Sequence, residues 1–185
     1  MVTVLVFLTT GFEEIEALTP TDILRRAGLK VQLVSLETKK EVLGGHGVLV
    51  TADLLFEESK SIEADAYLLP GGTVRIAEHP KLKEKLTEVA GQGKLLAAIC
   101  AAPMVFGQLG LLKGKKATCY PGFENYLEGA QLQDDPTVVD GQFVTANGPG
   151  AAIQFALVLV EKLAGTEKKQ EVIKQLHLQC DKIRI

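Results

Sequence analysis

Short runs of branched and other apolar residues alternate along the chain with segments long enough for several helical turns. This alternation narrows the possible folds more than any other feature. VTVLVFL (2–8), KVQLVSL (30–36), AYLLP (66–70), KLLAAI (94–99) and FVTAN (143–147) read as strands. Segments 13–28, 80–92, 103–112, 150–164 and 167–179 read as helices. Strands that are apolar on nearly every residue have two faces to bury, which suits a parallel sheet with helices on both sides. EVLGGHGVLV reads as a hairpin turning at its glycines, and TVVDGQFVT as one turning at Asp140-Gly141. No linker, repeat or low-complexity tract divides residues 1–185. The expected fold is α/β, a doubly wound and mostly parallel sheet sandwiched by helices in one domain.

Composition removes several function classes. A net charge of −3, with basic residues scattered among acids, leaves no electrostatic footprint for nucleic acid or an anionic membrane. Aromatics are 5% and Trp is absent, so no base-stacking surface is expected. MVTVLVFLTTGFEE has no basic region before its apolar run and no small-residue cleavage site after it, and therefore reads as a strand rather than a signal peptide. Three cysteines without a leader point to free thiols and a reducing cytoplasm.

In such sheets, reactive groups gather where strands end and helices begin. TTGFEEIEA, LLPGGTV and AAICAAPM are the three junctions of that kind. Cys100 follows a buried strand and precedes a helix whose first turn accepts Pro103. A sharp strand-to-helix turn needs small residues two before and two after its tip, and Ala98 and Ala102 stand there, as glycines do in a G-x-S-x-G elbow. Next to a helix N-terminus a thiolate is favoured, so Cys100 is expected to ionise below the ~8.5 of a free cysteine. A buried structural cysteine is the competing reading.

At a period of 3.6, Glu16 falls in line with Phe12, Ile23 and Ala27, on the inward face of its helix. Glu14, Thr21 and Arg25 fall on the opposite, wet face, and Glu13 and Glu14 read as ordinary solvated acids. Pro20 lacks the N–H that would bond the Glu16 carbonyl, so a kink is expected beside the acid. A desolvated carboxyl without a basic partner keeps its proton near neutrality and can exchange it with a substrate. Gly71-Gly72 ends a strand and can point backbone N–H groups into a cleft. NGPGAA lacks the third glycine of a dinucleotide fingerprint. His46, His79 and His177 have no metal-ligand spacing with the cysteines and read as surface or packing residues. Cys119 and Cys180 sit outside any small-residue elbow and receive no role.

Together, GFEEIEALTPTDILRRAG, LLPGG, AAICAAP and NGPG resemble the ThiJ/PfpI superfamily. More narrowly, they resemble its parkinsonism-associated deglycase (DJ-one) branch and the bacterial members of that branch. The resemblance implies a flavodoxin-like, class I glutamine amidotransferase-like fold, a homodimer, and a Cys100 nucleophile touching a protonated Glu16. It also implies oxyanion-type amides at Gly71, Gly72 and Ala101. Where the protease-like branch places histidine after its cysteine this chain has Ala101, which removes a Cys-His peptidase base. Tyr120 stands where parts of the deglycase branch carry a histidine, and His46 where the branch carries a dimer-facing arginine.

Two functions follow from the resemblance. The first is an enzyme without cofactor, metal or glutathione that acts on methylglyoxal, other α-oxoaldehydes or glycated protein, with Cys100 and Glu16 catalytic and Gly71, Gly72, Ala101 and Tyr120 around the substrate. The second is a redox-responsive sensor or chaperone in which the same thiolate oxidises stoichiometrically.

Overall fold

β1 (Thr3–Leu8) sends Val4, Val6 and Leu8 to one face and Leu5 and Phe7 to the other, and all five are buried. The computed structural model describes residues 1–178. After β1 come α1 (Glu14–Arg26), β2 (Lys30–Ser35), β3 (Glu41–Leu43), β4 (Leu49–Thr51), β5 (Leu54–Leu55) and a helical turn, α2 (Phe56–Ser59). β6 (Ala66–Leu69), α3 (Pro80–Gly91), β7 (Leu95–Ile99) and α4 (Pro103–Gln108) follow. β8 (Lys116–Ala117), β9 (Gln131–Leu132), β10 (Thr137–Asp140), β11 (Phe143–Ala146), α5 (Ala152–Ala164) and α6 (Thr166–Gln175) complete the order.

The main sheet runs β10-β11-β7-β6-β1-β2-β5. Every neighbouring pair is parallel except β10 with β11 at one edge. Ala66, Leu68, Ala97 and Ile99 share the face of Val4 and Val6 with residues of α1, α5 and α6. Tyr67, Leu69, Leu96 and Ala98 share the other face with residues of α3 and α4. Two apolar faces per strand thus have two helical layers to cover them, as the unbroken apolar runs require.

The structure moves several expected boundaries. The helix expected over 103–112 stops at Gln108, where Leu109 caps it and Gly110 turns left-handed at φ 69°. α5 begins at Ala152 because Pro149–Ala151 forms a 3₁₀ turn first. In the second hairpin Asp140 pairs with Phe143, so the two loop residues are Gly141 and Gln142, one later than expected. Gly141, at φ 60°, takes the first central position, as a type II′ turn demands. α6 ends at Gln175, and His177 lies beyond it at φ 52° rather than in a helix. Cys180 and the expected helical residue 179 lie outside the described residues.

α1 continues through Pro20, with the Thr21 hydroxyl donating to the Ala17 carbonyl at 2.7 Å. Thr21 is buried, not wet, because its one polar group is satisfied within the helix. Gly107 permits a close crossing, since a Cβ there would meet the Tyr126 carbonyl oxygen at 2.0 Å and the Leu127 Cα at 2.9 Å. Gly107→Ala is therefore expected to reduce the unfolding free energy by about 2 kcal/mol through overpacking. Urea denaturation of both proteins checks this, and an unchanged midpoint would contradict the crossing.

Candidate active site

Cys100 takes the first position after β7 with φ 66°, a left-handed conformation that a side chain disfavours. Its N–H donates to the Ala146 carbonyl at 2.8 Å, and its own carbonyl accepts from the Tyr120 N–H at 2.8 Å. Ala102 N–H returns to the Ile99 carbonyl at 3.2 Å and closes the turn. Ala98 and Ala102 are fully buried on either side. Four neighbours thus hold a conformation that costs about 1–3 kcal/mol.

Glu16, in the first turn of α1, has no exposed surface. Gly71 N–H donates to its Oε2 at 2.8 Å, while Oε1 has no nitrogen or oxygen partner. The Cys100 side chain lies beside the carboxyl, with Gly71 between them, and each group shifts the ionisation of the other. A Cβ on Gly71 would meet Cys100 Cβ and Glu16 Oε2, each at 2.8 Å. Gly72, at φ 88°, presses against the other wall, where a Cβ would come within 2.3 Å of Glu13 N and 2.7 Å of the Gly11 carbonyl oxygen. Both glycines are therefore steric requirements. The Gly71 carbonyl in turn accepts from Glu13 N–H at 3.0 Å, tying the start of α1 to the end of β6.

Gly71 corrects the expected set of oxyanion donors. Its N–H is committed to Glu16, which makes it an orienting group for the carboxyl. Ala101 and Gly72 line the cavity together with Cys100.

The direction of the Cys100 shift also differs from expectation. Burial raises Glu16 to about 7, against the opposing pull of the Gly71 N–H and the Cys100 thiol. Burial first, then the negative charge of Glu16, push the Cys100 thiol up to about 12. The Ala101 and Gly72 amides pull the other way without prevailing. α4 is too short, at six residues, to add much dipole. The repulsion from Glu16 exists only while Glu16 is ionised. Once it holds a proton, the two amides oppose burial alone. Burial thus raises both members of the pair, and the protonation of each sets the shift of the other.

Cys100, 9% exposed, opens onto a cavity of about 300 Å³ at the carboxyl edge of the sheet. Glu13, Glu16, Gly72, Ala101, Val74, Tyr120 and Phe123 are among the residues that line it. A larger cavity of about 480 Å³, lined by Phe56 and His79, holds neither a cysteine nor a buried acid, so the smaller one is the candidate site. Tyr120 is partly exposed at the rim, with Gly148 close beneath its ring.

Three residues passed over in the sequence take positions here. Glu14 is buried, not wet. Its Oε1 accepts from the His46 N–H at 2.8 Å and the Val48 N–H at 3.3 Å, which clamps the β3–β4 hairpin to α1 and lowers its pKa. Gly44 makes room for it, since a Cβ there would lie 2.3 Å from Oε1. A glycine-rich hairpin near an acidic helix start was the available signal. Glu13 lines the cavity, and its carboxylate lies 3.3 Å from His46 Nδ1, which also meets Glu14 Oε2 at 3.1 Å. These three could hold a cation, their ligand atoms lying within 4.8 Å of one another. Glu14 is already engaged by backbone donors, however, so the set is weak. His79 is a helix cap, its Nδ1 accepting from Leu82 N–H at 3.1 Å. Cys119 is buried, and burial pushes its thiol up to about 11.

Glu16 ties stability to pH with a definite sign. Its folded pKa lies above that of an unfolded glutamate, so the folded state holds the extra proton. The contribution is present in full below about 4.5 and is lost as pH rises through about 7. Glu16→Gln, which keeps an acceptor for Gly71 N–H, removes this dependence. Relative to wild type it is expected to gain about 3 kcal/mol between pH 4.5 and pH 8. Urea denaturation at both pH values measures the gain, and a constant difference would place the carboxyl in water.

The model of the DJ-1/PfpI family matches residues 2–162. "Protein dj-1beta" of Drosophila melanogaster is 40% identical over 177 residues, covering 93% of this chain and 95% of its own. "Deglycase PfpI" of Pyrococcus furiosus is 37% identical over 153 residues, 79% of this chain and 90% of its own. The crystal structure of Drosophila DJ-1beta superposes with a TM-score of 0.92 at 37% identity, covering 96% and 98% of the two chains. The elbow at Cys100, the acid beside it and the mostly parallel sheet that brings them together therefore sit in a chain that belongs to the DJ-1/PfpI family.

Proposed function

We propose that the chain is a cofactor-independent enzyme of the glyoxalase and deglycase type, acting on methylglyoxal, other α-oxoaldehydes or their protein adducts. The convergence of Glu16 and Cys100 at Gly71, in a cavity sized for a small aldehyde, carries the reading. Relatives named deglycases add support.

In this reading Glu16 is the base for the first proton transfer. Glu16, ionised in part at neutral pH, takes the thiol proton as sulfur bonds to the aldehyde carbon of methylglyoxal. The aldehyde oxygen gains the negative charge, and the Ala101 and Gly72 amides stand where they can stabilise it. Glu16 returns the thiol proton to that oxygen, which gives the hemithioacetal and leaves the carboxylate free. Glu16 then carries the proton of the former aldehyde carbon to the neighbouring carbon, while the hydroxyl proton passes to the neighbouring oxygen. This oxidises the first to a thioester and reduces the second to an alcohol. Water releases lactate and restores the thiol, so methylglyoxal and water balance lactate and one proton. Tyr120 donates a hydrogen bond at the rim rather than acting as a base.

The sensor reading has the same Cys100 oxidised stoichiometrically, without turnover. Lactate release from methylglyoxal separates them. Cys100→Ser and Glu16→Gln are each expected to lose at least about 100-fold in kcat/KM, while Cys119→Ser stays near wild type. Full turnover by Cys100→Ser would end the proposal.

We also infer a homodimer. Ile15 on α1 and Leu43, Val48 and Leu49 on the hairpin that Glu14 ties to it are exposed apolar side chains. Leu49→Asp should shift the mass in sedimentation from dimer to monomer, and a monomeric wild type would exclude this assembly.

A further inference from the structure

Between the carboxyl ends of β1 and β2 lies a carboxylate that the chemistry above does not use. Glu37, two residues past β2, is partly buried. Its Oε1 accepts from the Thr9 hydroxyl at 2.8 Å and from the Thr10 N–H at 2.7 Å. The Thr10 N–H is the main cause of its lowered pKa, and the charge of Arg75 adds to the effect. The turn that carries Glu37 is itself fixed. Leu36 N–H donates to the Leu8 carbonyl at 2.8 Å, and Glu37 N–H to the Ser35 hydroxyl oxygen at 3.1 Å. Thr9 is buried, so loss of Glu37 would orphan a covered hydroxyl.

Thr9 and Thr10 open the turn that leads from β1 into α1. Gly11, the next residue, packs on Thr73, where a Cβ would lie 3.4 Å from Thr73 Cβ. Its carbonyl oxygen bears on Gly72, 2.7 Å from the place of a Cβ there. Glu13 N–H donates to the Gly71 carbonyl at 3.0 Å, and Gly71 N–H holds Glu16 Oε2 at 2.8 Å. Contacts thus run without a break from Glu37 through this turn and the two glycines to the acid. Arg75, whose charge acts on Glu37, follows Thr73 and Val74 of the cavity lining, and its N–H donates to Thr73 Oγ1 at 3.3 Å.

We propose that Glu37 is a positioning residue for the active site: its two hydrogen bonds to the Thr9–Thr10 turn seat the start of α1 against Gly71-Gly72 and so keep Glu16 on the Gly71 N–H beside Cys100. Glu37 touches neither substrate nor the reacting atoms. The inference rests on the reading above only in taking Glu16 and Cys100 as the reactive pair. Both bonds go to Oε1, so the amide oxygen of a glutamine can accept both, whereas alanine accepts neither. Without them the turn is free to lift and let water reach Glu16, which weakens its hold on a proton and misplaces it for transfer.

Carbon-13 NMR of protein labelled at the glutamate carboxyl carbons tests this without requiring turnover, the spectrum of Glu16→Gln assigning the Glu16 signal. Wild-type Glu16 should titrate near 7. Glu37→Ala is expected to move that midpoint down by about one pH unit. With methylglyoxal it should lower kcat about tenfold and leave KM nearly unchanged. Glu37→Gln should restore both the midpoint and kcat. Thr9→Val, which removes the hydroxyl bond alone, should move both partway. Gly107→Ala, which disturbs the crossing of α4 instead, should leave the Glu16 midpoint at the wild-type value and so separate positioning from a general loss of stability. An unchanged midpoint in Glu37→Ala, a Glu37→Gln protein shifted as far as Glu37→Ala, or an equal shift in Gly107→Ala overturns the inference. If Glu37→Ala fails to fold, Thr9→Val decides by the same criterion. Lactate formation from methylglyoxal by the wild type reports separately: its absence removes the enzymatic reading, while the role of Glu37 stands or falls on the titration.

Discussion

A carboxyl without solvent, held by a single backbone N–H and set against a thiol, is the arrangement on which the rest of the site depends. Glu16 at 0% exposure keeps Oε2 on the Gly71 amide and offers Cys100 a group that titrates near neutrality. Were the acid in water it would be a permanent anion, able to repel a thiolate but unable to hand a proton back. Burial converts it into a group that can do both within one cycle. The cost of that burial appears as pH-dependent stability, a cost that a pocket needing a neutral acid must carry.

The sheet explains how three distant segments arrive at the same point. β1, β6 and β7 are neighbours and run parallel, so the turns at their carboxyl ends lie side by side. β1 leads into α1 and delivers Glu16, β6 ends in Gly71-Gly72, and β7 ends in the left-handed turn at Cys100. The absence of a side chain at both glycines is what lets these turns touch, because a methyl group at either would strike the opposing backbone or the Cys100 and Glu16 side chains. The β3–β4 hairpin then locks the start of α1 through Glu14. It thereby turns one of two adjacent acids into a structural clamp and leaves Glu13 on the wall of the cavity.

Particular residues show where reading the chain succeeded and where it failed. Glu16 stood out by helical phase alone, because an acid aligned with Phe12, Ile23 and Ala27 has to face inward. The same phase put Glu14 in water, since periodicity knows only the helix and its own sheet. A hairpin some 30 residues later covers that face, and only folding reveals it. The elbow at Cys100 was legible from its small neighbours and Pro103. The state of its thiol was not, because that depends on the sign of a neighbouring charge and on how much water remains.

The strand and helix pattern, the two-faced burial of the sheet, the strand-to-helix turn at Cys100 and the inward aim of Glu16 were all determined by the sequence alone. Each follows from local sterics and from the period with which apolar residues recur. Only the tertiary structure decided that the Gly71 N–H serves the Glu16 carboxyl, that Glu14 clamps while Glu13 lines the cavity, and that burial raises both the carboxyl and the thiol. Those outcomes are set by distances of a few ångströms between segments far apart in the chain, and by the loss of water between them, and neither is encoded in any local stretch.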